Sequence, residues 1–367
     1  MKILIATGLY PPEIGGPATY TKELERGLPE RGVSIDVLPF SCVRKYWKGV
    51  AHLVYFFLLL RRGRKADVIF AQDPVSVGLP AVLAAMVLRK KFLLKVVGDY
   101  AWEQATQRFG YFGRLEEFQT AEVGMRAGML RAVERWVTRR AIRVVVPSKY
   151  LAGIVSAWGI PKERITVIYN GVGIPKIGLK QVIRGLLRFQ GRLVISVGRL
   201  VPWKGFAALI RVHARLAKSM PDLQLLIVGD GPDRQKLEDL AQSLGIGGSV
   251  VFTGALTREI LLRYIRAADV FVLNTSYEGF SHLLLEVSLV GAPIVTTAIG
   301  GNPELIEHAV NGFYVAPDDE QAIEKRVAEL LVDAGLRARI AVNAKRKAEK
   351  FSISRMLDEM AILLKNL

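Results

Sequence analysis

Residues 268–297 read ADVFVLNTSYEGFSHLLLEVSLVGAPIVTT, and how they fold decides the architecture. ADVFVLN (268–274) is a short apolar run rich in Val and Phe, closed by Thr275 and Ser276, which reads as a strand buried on both faces. SHLLLEVSLVG (281–291) sets a Ser before and a Gly after an apolar run, the start and stop signals of a helix. APIVTT (292–297) is a second strand. Strand, crossover helix and strand make a βαβ unit, which commits the sheet to parallel pairing. The same reading places Glu278 on the loop at the strand's C-terminal end and Glu286 about two turns into the helix. Either carboxylate alone reads as a dipole-complementing or surface Glu.

The alternation extends along the whole chain. In the first half KILIA, SIDVLPF, ADVIFAQ, KFLLKVVG and IRVVVPS read as strands, and in the second RLVISVG, LQLLIVG and SVVFTG join the two already named. Helical patterns lie between them. The fold class is therefore α/β, with two Rossmann-like, doubly wound parallel-sheet domains whose strand ends face a central cleft. Gly, Pro and Lys cluster in YNGVGIPKIGLKQ (169–181), so the first domain is expected to span 1–172, a linker 173–190 and the second domain 191–352. The final helical stretch, 353–367, has no following strand and is expected to pack back on the first domain.

Bulk composition narrows the function. A chain of 367 residues can build two cores, and its single cysteine, Cys42, excludes an internal disulfide and fits a reducing compartment. No Cys/His cluster has metal-site spacing, so no metal is expected, and MKILIATGLYPP reads as a first strand rather than a signal peptide. The net charge of +17 is lopsided: residues 1–180 hold 28 Lys and Arg against 14 Asp and Glu, the remainder 23 against 20. A half this basic points to an anionic partner, such as a lipid surface, a nucleic acid or a phosphorylated substrate. The apolar run AHLVYFFLLL (51–60), flanked by RKYWKG and RRGRK, is too short to span a bilayer, which takes ~20 residues. It reads as a buried crossover helix, or as an interfacial surface for anionic lipid.

Glycine-rich strand–turn–helix junctions recur. GLYPPEIGGPATY (8–20) follows the first strand, and Gly15 and Gly16 there let a ligand approach the backbone at a helix start. In SVGRLVPWKG (196–205) a strand ends at Gly198, and Arg199 and Lys204 sit on the loop leading into a helix, a fitting clamp for a diphosphate. VGDGPDR (228–234) lacks the third Gly of a dinucleotide fingerprint, which counts against a nicotinamide enzyme.

The set GRLVPWKG, VGDGPDR, VVFTGALT, YEGFSHLLLE and IGGNPELI resembles the retaining glycosyltransferases of family four, of the group 1 type and the GT-B fold. The resemblance runs over nearly the whole chain and includes 147–172, similar to the family's domain-closing segment. It implies that Arg199 and Lys204 neutralise a donor diphosphate in place of a metal, that Glu286 holds the ribose hydroxyls, and that Glu278 holds the transferred sugar. Backbone N–H groups of Phe280, Ser281, His282 and Leu283 would lie beside the donor, and the loop around Leu256 would touch the nucleobase. Two positions depart from the pattern. Ser281 stands where a Gly is common, and VVGDYAWE (96–103) offers Asp99 where many relatives carry a His, so Asp99 is the candidate sugar contact or proton acceptor, with helix capping as its alternative.

The resulting expectation is a metal-independent, retaining transferase without a cofactor. It would move sugar from a nucleotide-sugar to a lipid-linked or phosphorylated glycan in envelope or polysaccharide biosynthesis, in the cytoplasm at the membrane's inner face. Residues 107–120, mixed aromatic and charged, would line the acceptor entrance or form a lid. A nucleotide-sugar epimerase or phosphorylase would keep the fold, but no cofactor-lysine signature is present. A nucleic-acid binder would show basic clusters with aromatic platforms. None is found, so nucleic acid is not an expected partner.

Overall fold

The computed structural model describes residues 1–13, 15–173, 175, 177–187 and 190–367. The chain divides into two units, Met1–Gly171 with Ser352–Leu367, and Val172–Phe351.

The first unit is one six-stranded parallel sheet: β1 Lys2–Thr7, β2 Ser34–Pro39, β3 Val68–Ala71, β4 Lys91–Lys95, β5 Arg143–Val146 and β6 Ile165–Val167, in the order β2-β1-β3-β4-β5-β6. Every pairing is parallel. On one face Ile3, Ile5, Val68, Phe70, Leu93 and Val145 pack against Tyr20 and Leu24 of the helix Gly16–Gly27. Met356, Met360 and Leu364 of the C-terminal helix Ile353–Lys365 join the same cluster, so that helix belongs to this unit's core. It lies so close that a Cβ on Gly27 would stand 2.2 Å from Leu357 Cδ1, which is why the first helix ends on glycine.

The helix Lys48–Gly63 resolves the two readings of the apolar run. Ala51, Tyr55 and Leu59, one turn apart, are buried, and Tyr55 Oη donates to the Leu38 carbonyl at 2.6 Å. The opposite side is apolar too, yet Leu53 is 55% and Phe57 58% exposed. The run is thus a core stripe and an apolar surface at once. Among the described residues no helix is long and apolar enough to cross a membrane.

The second unit repeats the plan with β7 Arg192–Val197, β8 Leu223–Val228, β9 Val250–Phe252, β10 Val270–Leu273, β11 Ile294–Thr297 and β12 Phe313–Val315, in the order β12-β11-β10-β7-β8-β9. The order reverses between β7 and β10, whose C-terminal ends open the crevice where doubly wound sheets bind ligands. Part of the segment expected as a linker is helical. Lys180–Leu186 is held to this unit by Lys180 and Arg184, which bond the two oxygens of Asp269 at 2.7 and 3.0 Å. Residues 174, 176, 188 and 189 of that segment lie outside the described residues.

Candidate functional site

The second unit brings most of the expected residues to the β7/β10 crevice. Gly198 ends β7, and the loop after it carries Arg199 and Lys204 into the helix Phe206–Ser219, whose start has no side-chain cap. Its first N–H groups and its positive dipole end are thus open to an anion. Arg199 is exposed, and among the described residues it has no hydrogen-bond or ion-pair partner. Lys204 does have one: its Nζ lies 2.8 Å from Oε2 of Glu278, on the loop after β10. Both side chains are largely buried, 17% and 20% exposed. Backbone bonds fix this meeting, since Ser276 N donates to the Trp203 carbonyl at 2.9 Å and Gly301 N to the Glu278 carbonyl at 3.0 Å.

The helix His282–Val290 follows directly. Ser281 is buried, and its Oγ accepts from Leu284 N at 3.2 Å, so the hydroxyl caps the helix rather than facing a ligand. Phe280 is likewise a packing residue, 5% exposed with its ring 5.8 Å from that of Phe351. His282 and Leu283 are half-buried in the first turn. Glu286 is held by a residue that the sequence reading missed: Arg258 Nε lies 2.6 Å from Glu286 Oε1, and its terminal nitrogen donates to the Gly173 carbonyl at 2.5 Å. Arg258 opens the helix Arg258–Ala267 just after the loop that carries Leu256. A cation at a helix N-terminus opposes the dipole. That was the available signal that Arg258 has another task.

Three expected residues lie in the first unit. Gly15 and Gly16 begin the helix Gly16–Gly27, which has no side-chain cap and carries Pro17 in its first turn. Asp99 departs from expectation. It is 1% exposed, and its Oδ1 accepts from Trp102 N at 2.7 Å as the N-cap of the helix Tyr100–Arg108. Its Oδ2 accepts from Gln119 Nε2 at 2.9 Å, and Gln119 Oε1 in turn accepts from Trp158 Nε1. An aspartate so covered and so fully used is a structural cap, not a sugar contact or proton acceptor. The capping alternative is the correct one.

Beneath that cap lies Glu134, 1% exposed, accepting from Tyr100 N and Ala101 N at 3.1 and 3.3 Å. Burial first, then the charge of Asp99, hold the Glu134 carboxyl well above its usual 4.5, and burial raises Asp99 as well. The folded chain therefore keeps protons here that the unfolded chain has lost. The stability from this source is full below about pH 4.5 and falls as pH rises through the raised folded value. Glu134→Gln, which keeps the shape but leaves one of the two backbone N–H donors without its acceptor, should lower the urea midpoint and flatten its decline as pH rises above about 5. Parallel wild-type and variant curves would show that the two carboxyls share no proton.

Among the described residues no three His, Cys, Asp or Glu side chains gather as a metal site.

Two family models cover the chain: Glycosyltransferase Family 4 over residues 14–174 and Glycosyl transferases group 1 over residues 180–347. The GDP-mannose-dependent α-(1-6)-phosphatidylinositol monomannoside mannosyltransferase of Mycolicibacterium smegmatis is 35% identical, over 90% of this chain and 89% of its own. The chain belongs to the group 1, family 4 glycosyltransferases. An uncharacterised glycosyltransferase of Methanocaldococcus jannaschii is 28% identical over 96% of this glycosyltransferase and 95% of its own length. The crystal structure of Anabaena HepE with UDP-glucose superimposes with a TM-score of 0.80 at 22% identity, covering 100% of both chains. The two parallel-sheet units of this glycosyltransferase are those of the GT-B fold.

Proposed function

We propose that this glycosyltransferase takes a nucleotide-sugar donor and moves the sugar to an acceptor hydroxyl with retention at the anomeric carbon and without a metal. The observation that carries the reading is the meeting of Lys204 and Glu278 across the β7/β10 switch point, beside Arg199 and an uncapped helix start. In the free protein the cation and carboxylate neutralise each other. A nucleotide-sugar offers each a better match, with diphosphate oxygens for Lys204 and Arg199 and sugar hydroxyls for Glu278. Glu286, steadied by Arg258, takes the ribose hydroxyls, and the loop at Leu256 meets the base. The bond from the anomeric carbon to the diphosphate breaks as the bond to the acceptor oxygen forms on the same face. The departing diphosphate takes the acceptor proton, and its growing charge is what Lys204 and Arg199 stabilise. Similarity to HepE, solved with UDP-glucose, and to a mannosyltransferase named for GDP-mannose supports such a donor.

The acceptor in this reading is a lipid-linked or phosphorylated glycan met at the cytoplasmic face of a membrane. Support comes from the basic first half, the outward Leu53 and Phe57, Trp47 at 77% exposure, and Arg61 and Arg62 in the same helix's last turn.

Melting curves with UDP, GDP and ADP in EDTA test the donor site. At ~100 times its dissociation constant the right nucleotide adds ~2.7 kcal/mol, a rise of about 5–10 °C for a unit of this size. Arg199→Ala and Glu286→Ala should each remove most of that rise. No shift with any nucleotide, or a shift that needs a divalent metal, would sink the reading.

A further inference from the structure

We infer that the helix Met125–Arg140 carries a binding site for a phosphate-bearing amphiphile, its phosphate among the arginines of the helix and its hydrocarbon in the apolar pocket beside the first turn. This deepens the acceptor half of the proposed function and rests on that reading for the ligand's part in transfer.

One end is a groove of about 510 Å³ lined by Arg131, Arg135, Arg139 and Arg140, with Gly128, Ala132 and Trp136, the guanidiniums standing over walls made largely of apolar atoms. The first three arginines recur every four residues and so share one face of the helix. Their bonds go to carbonyl oxygens rather than to carboxylates: Arg131 to Phe118 and Ala121, Arg135 to Gln119, Arg139 to Trp158. Arg140 lies over the Trp136 ring at 3.5 Å. Among the described residues none of the four has an ion-pair partner, and Glu134 points to the buried side. Four guanidiniums gathered with no carboxylate in ion-pair contact repel one another, and the buried Asp99 and Glu134 offset this in part at Arg135. Arg135 shows the result: its Nε is a buried donor with no acceptor, and burial, then Arg131, lower its guanidinium from its ordinary value. An anion of the phosphate class supplies the missing charge, with the exposed guanidiniums of Arg139 and Arg140 as its donors.

The apolar end is a pocket of about 430 Å³ whose walls include Ala105, Phe109, Tyr111, Val123 and Met125, with Glu122 and Arg126 also on its surface. Met125 is 89% and the nearby Met129 65% exposed. Both sites use the same helix, the pocket its first residues and the groove the remainder. Met125 to Arg135 is about 15 Å along the axis, so one extended alkyl chain reaches from phosphate to pocket. Neither inorganic phosphate nor a neutral lipid satisfies both ends.

The test is titration calorimetry with dodecyl phosphate, inorganic phosphate and dodecyl maltoside, each below any micelle-forming concentration, with co-sedimentation on phosphatidylglycerol and phosphatidylcholine vesicles in parallel. Dodecyl phosphate should bind roughly tenfold or more tightly than inorganic phosphate, since burying two methylenes already gives that factor. It should also bind more tightly than dodecyl maltoside, which shares the chain but offers the arginines no charge. Arg139→Gln/Arg140→Gln, both exposed, should bring dodecyl phosphate down to the level of the maltoside, with a melting temperature lowered by no more than about 4 °C for the lost bond from Arg139 to the Trp158 carbonyl. Met125→Asp should bring it down to the level of inorganic phosphate. Equal affinity for phosphate and dodecyl phosphate, or a double variant that binds like wild type, overturns the site. So does vesicle binding lost in the double variant when wild type fails to bind monomeric dodecyl phosphate, which would assign the arginines to a bilayer surface. No nucleotide enters these titrations, so their failure leaves the nucleotide-dependent melting shift intact, and the converse holds.

Discussion

Replacing Lys204 by methionine is expected to lower sugar transfer by roughly 10²–10³-fold, about 3–4 kcal/mol of transition-state stabilisation. Methionine keeps most of the stem and removes only the charge. Lys204 is 83% covered and its Nζ lies 2.8 Å from Glu278, so its charge acts where water screens it little (side-chain exposure 17%). The loss has two sources, a departing diphosphate without its cation and a Glu278 carboxylate left to repel that diphosphate. A double-mutant cycle separates them. If Lys204 serves only to neutralise Glu278, Lys204→Met/Glu278→Gln should recover most of the rate. If it holds the diphosphate, the double variant should be no faster than Lys204→Met, and its affinity for the nucleoside diphosphate should be equally weak. A fall of less than tenfold in kcat/KM for the donor would remove Lys204 from the mechanism. Arg199, exposed and better screened, should show a smaller loss.

The structure contains each of the ten strands read from sequence, because each centres on a short apolar run with turn signals at its end. β6 (Ile165–Val167) and β12 (Phe313–Val315) are three-residue edge strands that went unread, whereas the equally short edge strand β9 was read because Thr253 and Gly254 close it. At the site, the sequence places loops and strand ends well but not the partners that meet there. Glu278 and Lys204 are 74 residues apart, and Glu286 and Arg258 are 28 apart. Only the reversal of strand order between β7 and β10 brings the first pair together. Asp99 and Ser281 teach the opposite lesson. Both precede helices and both are caps, a local role legible from residue type alone. What hides Asp99 from a ligand is Gln119, 20 residues further on, and that cover has no local signal.

Gly229→Ala is expected to destabilise the second unit by about 2–4 kcal/mol, lowering its melting temperature by about 5–15 °C, and to disable the diphosphate loop beyond that loss. Gly229 closes β8 with φ +133°, and a Cβ there would stand 1.9 Å from the Gly198 carbonyl oxygen. A backbone oxygen cannot swing aside as a side chain can. The loop after β7 lies on the loop after β8 through main-chain bonds, Gly198 N to the Val228 carbonyl and Leu200 N to the Asp230 carbonyl, both at 3.0 Å. Any shift that relieves the clash therefore moves Arg199, which lies between those two bonds. This is the physical content of VGDGPDR: its glycines let one loop seat another, where a dinucleotide fingerprint would bring a backbone to a pyrophosphate. Gly245→Ala is the control, with φ +70° and nothing within 4 Å of the added Cβ. It should cost only about 1–2 kcal/mol of backbone strain and leave transfer intact when assayed well below its melting temperature. Equal effects of the two substitutions on transfer would mean that φ alone matters at Gly229 and that the seating of the loop has no part in catalysis.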